Sequence, residues 1–181
     1  GGVALNGVAN HRLLKEGPFE KIYIPPSPGD AGSAIGCALY AYFKLSEKQR
    51  NIETNEGVRV ANNIYIGPTF SNKEIKSFLE SKNIPYCHYE NKELLQKTAK
   101  LISEQNVVGW YQGKMEWGPR SLGNRSILAD PRNKNMKDIL NKKIKHREGF
   151  RPFAPSVLEE FASEYFDIDI PSPYMLLVTK V

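Results

Sequence analysis

From Gln112 to Ser126 the chain reads Gln-Gly-Lys-Met-Glu-Trp-Gly-Pro-Arg-Ser-Leu-Gly-Asn-Arg-Ser. Glycines interleaved with Lys114, Arg120, Asn124, Arg125 and Ser126 suit a phosphate-sized anion. Glycine lets backbone N–H groups approach an oxyanion, and a guanidinium fork holds it at two points. A second basic set, Lys143, Lys145, Arg147 and Arg151, stands beside Phe150, Pro152 and Phe153. Two such clusters on neighbouring loops can converge on one polyanion, so Arg120, Arg125 and Arg151 are expected around a common pocket. Pro152 restricts the backbone of Arg151 to an extended form, and Phe150 and Phe153 are expected to bury beside it and steady its guanidinium. Lys134, Lys137 and Lys142 read as a solvated helix face.

Charge supports this emphasis. The segment from Lys114 to Arg151 carries eleven Lys/Arg against four Asp/Glu and nets +7, whereas the remainder nets −2 and the whole chain +5. Something anionic is expected to meet that segment. Asp30, after Pro28-Gly29, stands at a helix start. Helix capping accounts for an Asp there, and ligation of a hard or borderline cation is the alternative. His11, His88 and His146 form no His-x-x-x-His pair. Cys37 and Cys87 match no metal or disulfide spacing and read as small buried hydrophobes in a reducing compartment, with cytoplasm the default. The nearly apolar run from Ala34 to Phe43 is about half a membrane span. The chain opens on Gly-Gly-Val without a Met or the charged region of a signal peptide, so a fragment is expected.

The elements that must position these residues alternate in type. Asn6 is placed to cap a helix through Val8, Leu13 and Leu14 that Gly17-Pro18 stops. Phe19 to Ile24 alternates like a strand, and Asp30 opens a helix to about Leu45. Its Ala and Gly residues at 31, 32, 34, 36, 38 and 41 allow close approach by another element. Residues 46–63 are polar and read as a linker. Beyond them come a short strand ending at Tyr65-Ile66-Gly67-Pro68, a helix from a Ser71 capping box to Ser81, and a strand from Tyr86 to Tyr89. A helix from Glu93 to Glu104, a buried strand from Val107 to Tyr111, a helix from Asn135 to Lys145 and a strand from Tyr174 to Val178 complete the set. The class is α/β or α+β.

Gly1-Gly-Val-Ala-Leu-Asn6 and Pro28-Gly-Asp-Ala-Gly32, taken with Met115-Glu-Trp-Gly-Pro-Arg-Ser-Leu-Gly-Asn-Arg-Ser126, Ala129-Asp-Pro-Arg132 and Phe150-Arg-Pro-Phe-Ala-Pro155, resemble the O-carbamoyltransferases of the nodulation and antibiotic-tailoring type. Trp117 and Ser121 stand where Phe and Ala are common, and Lys114 where Arg is common. The resemblance implies that residues 1–45 end an N-terminal actin/hexokinase-like domain, that 46–63 link, and that 64–181 form most of a YrdC-like domain with a twisted mixed sheet. It implies carbamoyl phosphate as a partner, with ATP (and Mg) consumed through carbamoyladenylate, and a metal, iron by resemblance, beside a hydroxyl-bearing acceptor.

On that resemblance Lys114, Arg120, Arg125, Arg147 and Arg151 form the phosphate-holding set, with Asn124 and Ser126 as polar contacts. Gly1, Gly2 and Asn6 border the nucleotide, and Asp30 ligates the metal together with a His pair earlier in the family's chain. Glu116 can orient an arginine. The sequence leaves the acceptor open, and a homodimer is compatible with it. The rival reading is a nucleic-acid module, in the manner of tRNA-modifying relatives of these folds, using segment 114–151 with Trp110, Tyr111, Trp117, Phe150 and Phe153 as stacking surfaces. A compact cluster of arginines among glycines fits a small anion better than a long nucleic-acid stripe. A third reading is a docking fragment without catalysis.

Overall fold

The structure is a computed structural model and describes residues 1–46 and 64–180. It combines helices with a small antiparallel sheet, an α/β mixture, and divides into two compact units, each discontinuous in sequence. The first takes the described residues of Gly1–Gly67, Glu116–Leu122 and Val157–Val181; the second takes Pro68–Met115 and Gly123–Ser156. The proposed linker 46–63 lies, apart from Ser46, outside the described residues.

In the first unit a 3-10 turn, Gly2–Leu5, leads into α1, Gly7–Glu16. Asn6 caps α1 as its sequence predicts: its side-chain oxygen accepts from Ala9 N at 3.1 Å. Buried Asn10 on the same helix donates from Nδ2 to the carbonyls of Ala4 and Leu176, both at 2.9 Å. Val178 N donates to Gly7 O at 3.1 Å. Those bonds dock the 176–178 segment on a helix start, and among the described residues it pairs with no strand. Helix α2 spans Asp30–Ser46 and buries none of its residues. Leu39, Tyr40, Tyr42 and Leu45 are exposed, as is Cys37 in the same helix and Cys87 in the second unit, so the expected burial of both thiols is corrected. At its start Gly29 O accepts from the N–H groups of Gly32 and Ser33. Among the described residues no helix is long and apolar enough to cross a membrane.

In the second unit α3 (Asn72–Ser81) begins with the capping box the sequence predicts, Ser71 and Glu74 bonding reciprocally. Helix α4 spans Asn91–Ser103. Strand β1 (Val108–Tyr111) pairs antiparallel with β2 (Arg125–Leu128), Tyr111 facing Arg125 and Trp110 facing Ser126. The second strand goes unread in the sequence because Arg125-Ser-Ile-Leu shows no alternation and follows a glycine-rich run. Conversely, Phe19–Ile24, Tyr65–Gly67, Tyr86–Tyr89 and Tyr174–Val178 are not strands. Alternation supplies a face, but a strand also needs a partner strand for its ladder of N–H and C=O groups, and the described residues give these segments no partner strand. Helix α5 is only Met136–Ile139; the predicted helix continues as a π turn, Leu140–Lys145, closed by His146 at φ 46°. Met136 and Leu140 carry this unit's core and are 5% exposed.

Candidate functional site

The glycine-rich run is folded back by the β1–β2 pairing. Gln112 N donates to Asn124 O at 3.0 Å, and Gln112 Nε2 to Asn124 Oδ1 at 3.1 Å. Asn124 Nδ2 donates to Lys114 O at 2.7 Å, so its amide clamps both limbs of the hairpin. Gly113 and Gly123 have φ of +53° and +110°, conformations that favour glycine, the second above all. Gly123 N donates to Ser126 Oγ at 3.1 Å. The structure thus groups Lys114, Asn124, Arg125 and Ser126 on one hairpin, with Asn124 and Ser126 shaping its backbone.

Arg147 and Arg151 lie on a second loop of the same unit, after the π turn. Arg147 Nε donates to Asn141 Oδ1 at 2.7 Å and its Nη2 to Pro152 O at 3.3 Å. Its guanidinium carbon stands 4.7 Å from the centre of the Phe153 ring. This is a guanidinium held on three sides. Arg151 differs. Its side chain is exposed and its Nε lies 3.4 Å from Glu148 Oε2. Phe150 is 79% exposed, so the expectation that Phe150 buries beside Arg151 is corrected. The steadying falls on Arg147 because the π turn directs Arg147, not Arg151, over Phe153. Lys134, Lys137 and Lys142 are exposed.

Arg120 belongs to the first unit, where its Nε is buried without a hydrogen-bond partner among the described residues. Buried Glu116 shapes the same stretch, its Oε1 accepting from Leu122 N at 2.6 Å, while Tyr65 OH donates to Leu122 O at 2.8 Å. Burial, then the charge of Glu116, pushes the Tyr65 phenol above its usual range. Gly118, at φ +114°, packs on buried Ser27: a Cβ there would lie 3.2 Å from Ser27 Cβ. Asp30 is exposed as the first residue of α2, and Gly1 and Gly2 are exposed. Among the described residues no three His, Cys, Asp or Glu gather to hold a metal.

Two buried polar residues went unread as site supports. Asn141 is 0% exposed and is the acceptor for Arg147. A helical period leaves it off the stripe of Met136, Leu140 and Ile144, and the π turn changes the angular step that periodicity assumes. Asp130 is 2% exposed and accepts from Arg132 Nε at 2.9 Å and Nη2 at 2.6 Å, from Arg132 N at 2.9 Å and from Gln105 Nε2 at 2.7 Å. The bonds from the Arg132 side chain, then from its backbone, lower the carboxyl from 3.8 to about 2. A depressed carboxyl stabilises the folded state above its unfolded pKa and loses that contribution as pH falls through the folded one. The stability gap between the wild type and Asp130→Asn should therefore be constant from pH 7 to 5 and close between about pH 4 and 2. Urea midpoints followed by circular dichroism check this; a gap unchanged at pH 2 would contradict it.

A family model described as the carbamoyltransferase C-terminus matches residues 99–181, and one described as the carbamoyltransferase N-terminus matches residues 1–39. The chain belongs to the carbamoyltransferase family. The chain is 49% identical over 183 residues to an uncharacterized protein of Synechocystis, covering 100% of this chain and 29% of the relative. It is 40% identical to nodulation protein NolNO of Sinorhizobium fredii, over 93% of this chain and 24% of that protein. To nodulation protein U of Rhizobium tropici it is 38% identical, over 97% of the chain and 27% of the relative. The chain thus spans less than a third of the length of these relatives.

Proposed function

We propose that the protein is an O-carbamoyltransferase, drawing a carbamoyl group from carbamoyl phosphate, consuming ATP through carbamoyladenylate, and passing the group to a hydroxyl of a small-molecule or glycan acceptor. Family membership supports the group transferred, and the motifs' resemblance to the O-carbamoyltransferases is the reason for a hydroxyl acceptor. The observation that carries the reading is the guanidinium of Arg147, fixed by Asn141, Pro152 and Phe153 in the most basic part of the chain. A donor held before the ligand arrives needs no reorganisation as phosphate charge develops, which is where such groups contribute most. Balance requires one water to enter, phosphate and pyrophosphate to leave, and the acceptor hydroxyl then to lose its proton and displace AMP from the carbamoyl carbon.

Lys114, Arg120, Arg125, Arg147 and Arg151 are the phosphate-holding residues on this reading, with Asn124 and Ser126 setting the hairpin. Gly1, Gly2 and Asn6 border the nucleotide. The division into residues 1–45, a linker at 46–63 and a domain from 64 to 181 belongs to the same proposal, as does a cytoplasmic setting, which the free thiols of Cys37 and Cys87 suit. Asp30 supplies one carboxylate towards a metal, but the described residues do not complete a ligand set, and no step is routed through one.

The test is pyrophosphate release by the full-length protein. It should appear only with both carbamoyl phosphate and ATP present, and carbamoyl phosphate should bind with little change on moving from low to moderate salt. Absence of release, together with tight binding of a short RNA that collapses over the same salt range, would replace this reading with the nucleic-acid one.

A further inference from the structure

We propose that Asn141 is a positioning residue that sets Arg147, and the 149–151 backbone behind Arg151, for binding of the phosphate-bearing substrate. The inference rests on the carbamoyltransferase reading for the identity of the ligand. Its structural half stands on the geometry of one buried amide.

Asn141 is fully buried, and its side chain bonds to the loop that carries the two arginines. Its Oδ1 accepts from Arg147 Nε at 2.7 Å; its Nδ2 donates to Arg151 O at 3.0 Å and to Gly149 O at 3.4 Å. Its backbone carbonyl accepts from His146 N and, at 3.0 Å, from Arg147 N. An amide has two donors and an acceptor to spend, and here both kinds are spent on the same loop. The π turn supplies the placement, because the wider turn lets the chain after Lys145 curl round Asn141 and His146 takes the left-handed conformation that closes it. Short helices of this kind gain little from local propensity. The buried amide is what keeps the loop in one form.

The isosteric carboxylate separates the two halves of the job. Asn141→Asp keeps an acceptor for Arg147 but has no N–H for the carbonyls of Gly149 and Arg151, whereas Asn141→Ala loses both. Two readouts in the full-length protein test this. The first needs no ligand: the Arg147 Nε–H signal in nitrogen-15 NMR, assigned by its loss in Arg147→Lys, should be protected in wild type and Asn141→Asp and exchange-broadened in Asn141→Ala. The second is kinetic: KM for carbamoyl phosphate should rise about tenfold or more in Asn141→Ala, the weight of one hydrogen bond to a charged group. It should rise less in Asn141→Asp, while KM for ATP changes little in either. An Arg147 signal equally protected in folded Asn141→Ala, or a KM unchanged within twofold, would overturn the assignment. If Asn141→Ala does not fold, Asn141→Asp decides: a KM for carbamoyl phosphate equal to wild type would overturn it. A wild type that releases no pyrophosphate while the NMR contrast holds would sink the function and leave the Asn141–Arg147 support intact.

Discussion

Arg147→Lys is expected to lower carbamoyl-phosphate-dependent pyrophosphate release by roughly 10- to 150-fold, the range of one charge-assisted hydrogen bond. Lysine keeps the charge but not the fork: it cannot donate to Asn141 Oδ1 and Pro152 O at once while lying flat over Phe153. The buried Asn141 oxygen would lose its donor, so a modest drop in thermal midpoint accompanies the loss of activity. Arg151→Lys is the contrasting case. Arg151 is exposed, and its pairing with Glu148 is one a lysine can restore, so an effect within about fivefold is expected, in keeping with surface pairs worth at most about 1 kcal/mol. Equal and large losses in both variants would show that the loop rearranges around its ligand and that the Arg147 geometry is not what prepares the site.

The second large effect is on stability and runs against helix propensity. Gly32→Ala should destabilise the first unit by about 2 kcal/mol, because an added Cβ would lie 1.9 Å from Ser27 O, a backbone atom that can move only with its loop. Gly36→Ala, in the same helix, should stabilise by up to about 1 kcal/mol: nothing lies within 4 Å of a Cβ there, and alanine lowers the entropic cost of the helix. Urea denaturation of the two single variants gives the signs directly. A stabilising Gly32→Ala would mean that the Pro25–Gly29 loop does not pack on the start of α2 as described.

Those two glycines also show where sequence reasoning stops. The run of small residues in α2 is legible as a surface for close approach, and at Gly32 the approach is real, but it is made by the preceding loop, with the Trp117 ring 4.0 Å from where a Cβ would lie. Gly36 meets nothing. Small residues state that contact is permitted, whereas only the path of the chain states whether it occurs. The same holds for the extended segments read as strands: their apolar alternation is written locally, but pairing depends on another segment far along the chain.

Local signals that satisfy themselves within a few residues were determined by the sequence alone. The Asn6 cap, the Ser71–Glu74 capping box and the strand at Val108–Tyr111 are of this kind, and so are the basic loops and the family to which their motifs belong. Tertiary structure decided which guanidinium is held. Arg147 and Arg151 are four positions apart and equally charged, but Arg147 meets a buried amide and a ring while Arg151 faces solvent beside Glu148. A π turn of six residues makes that difference, and its hydrogen bonds depend on Asn141 being buried against a loop that follows it in the chain. Burial is a property of the folded surroundings and is not carried by the residue type, so the role of Asn141 emerges only once those surroundings exist.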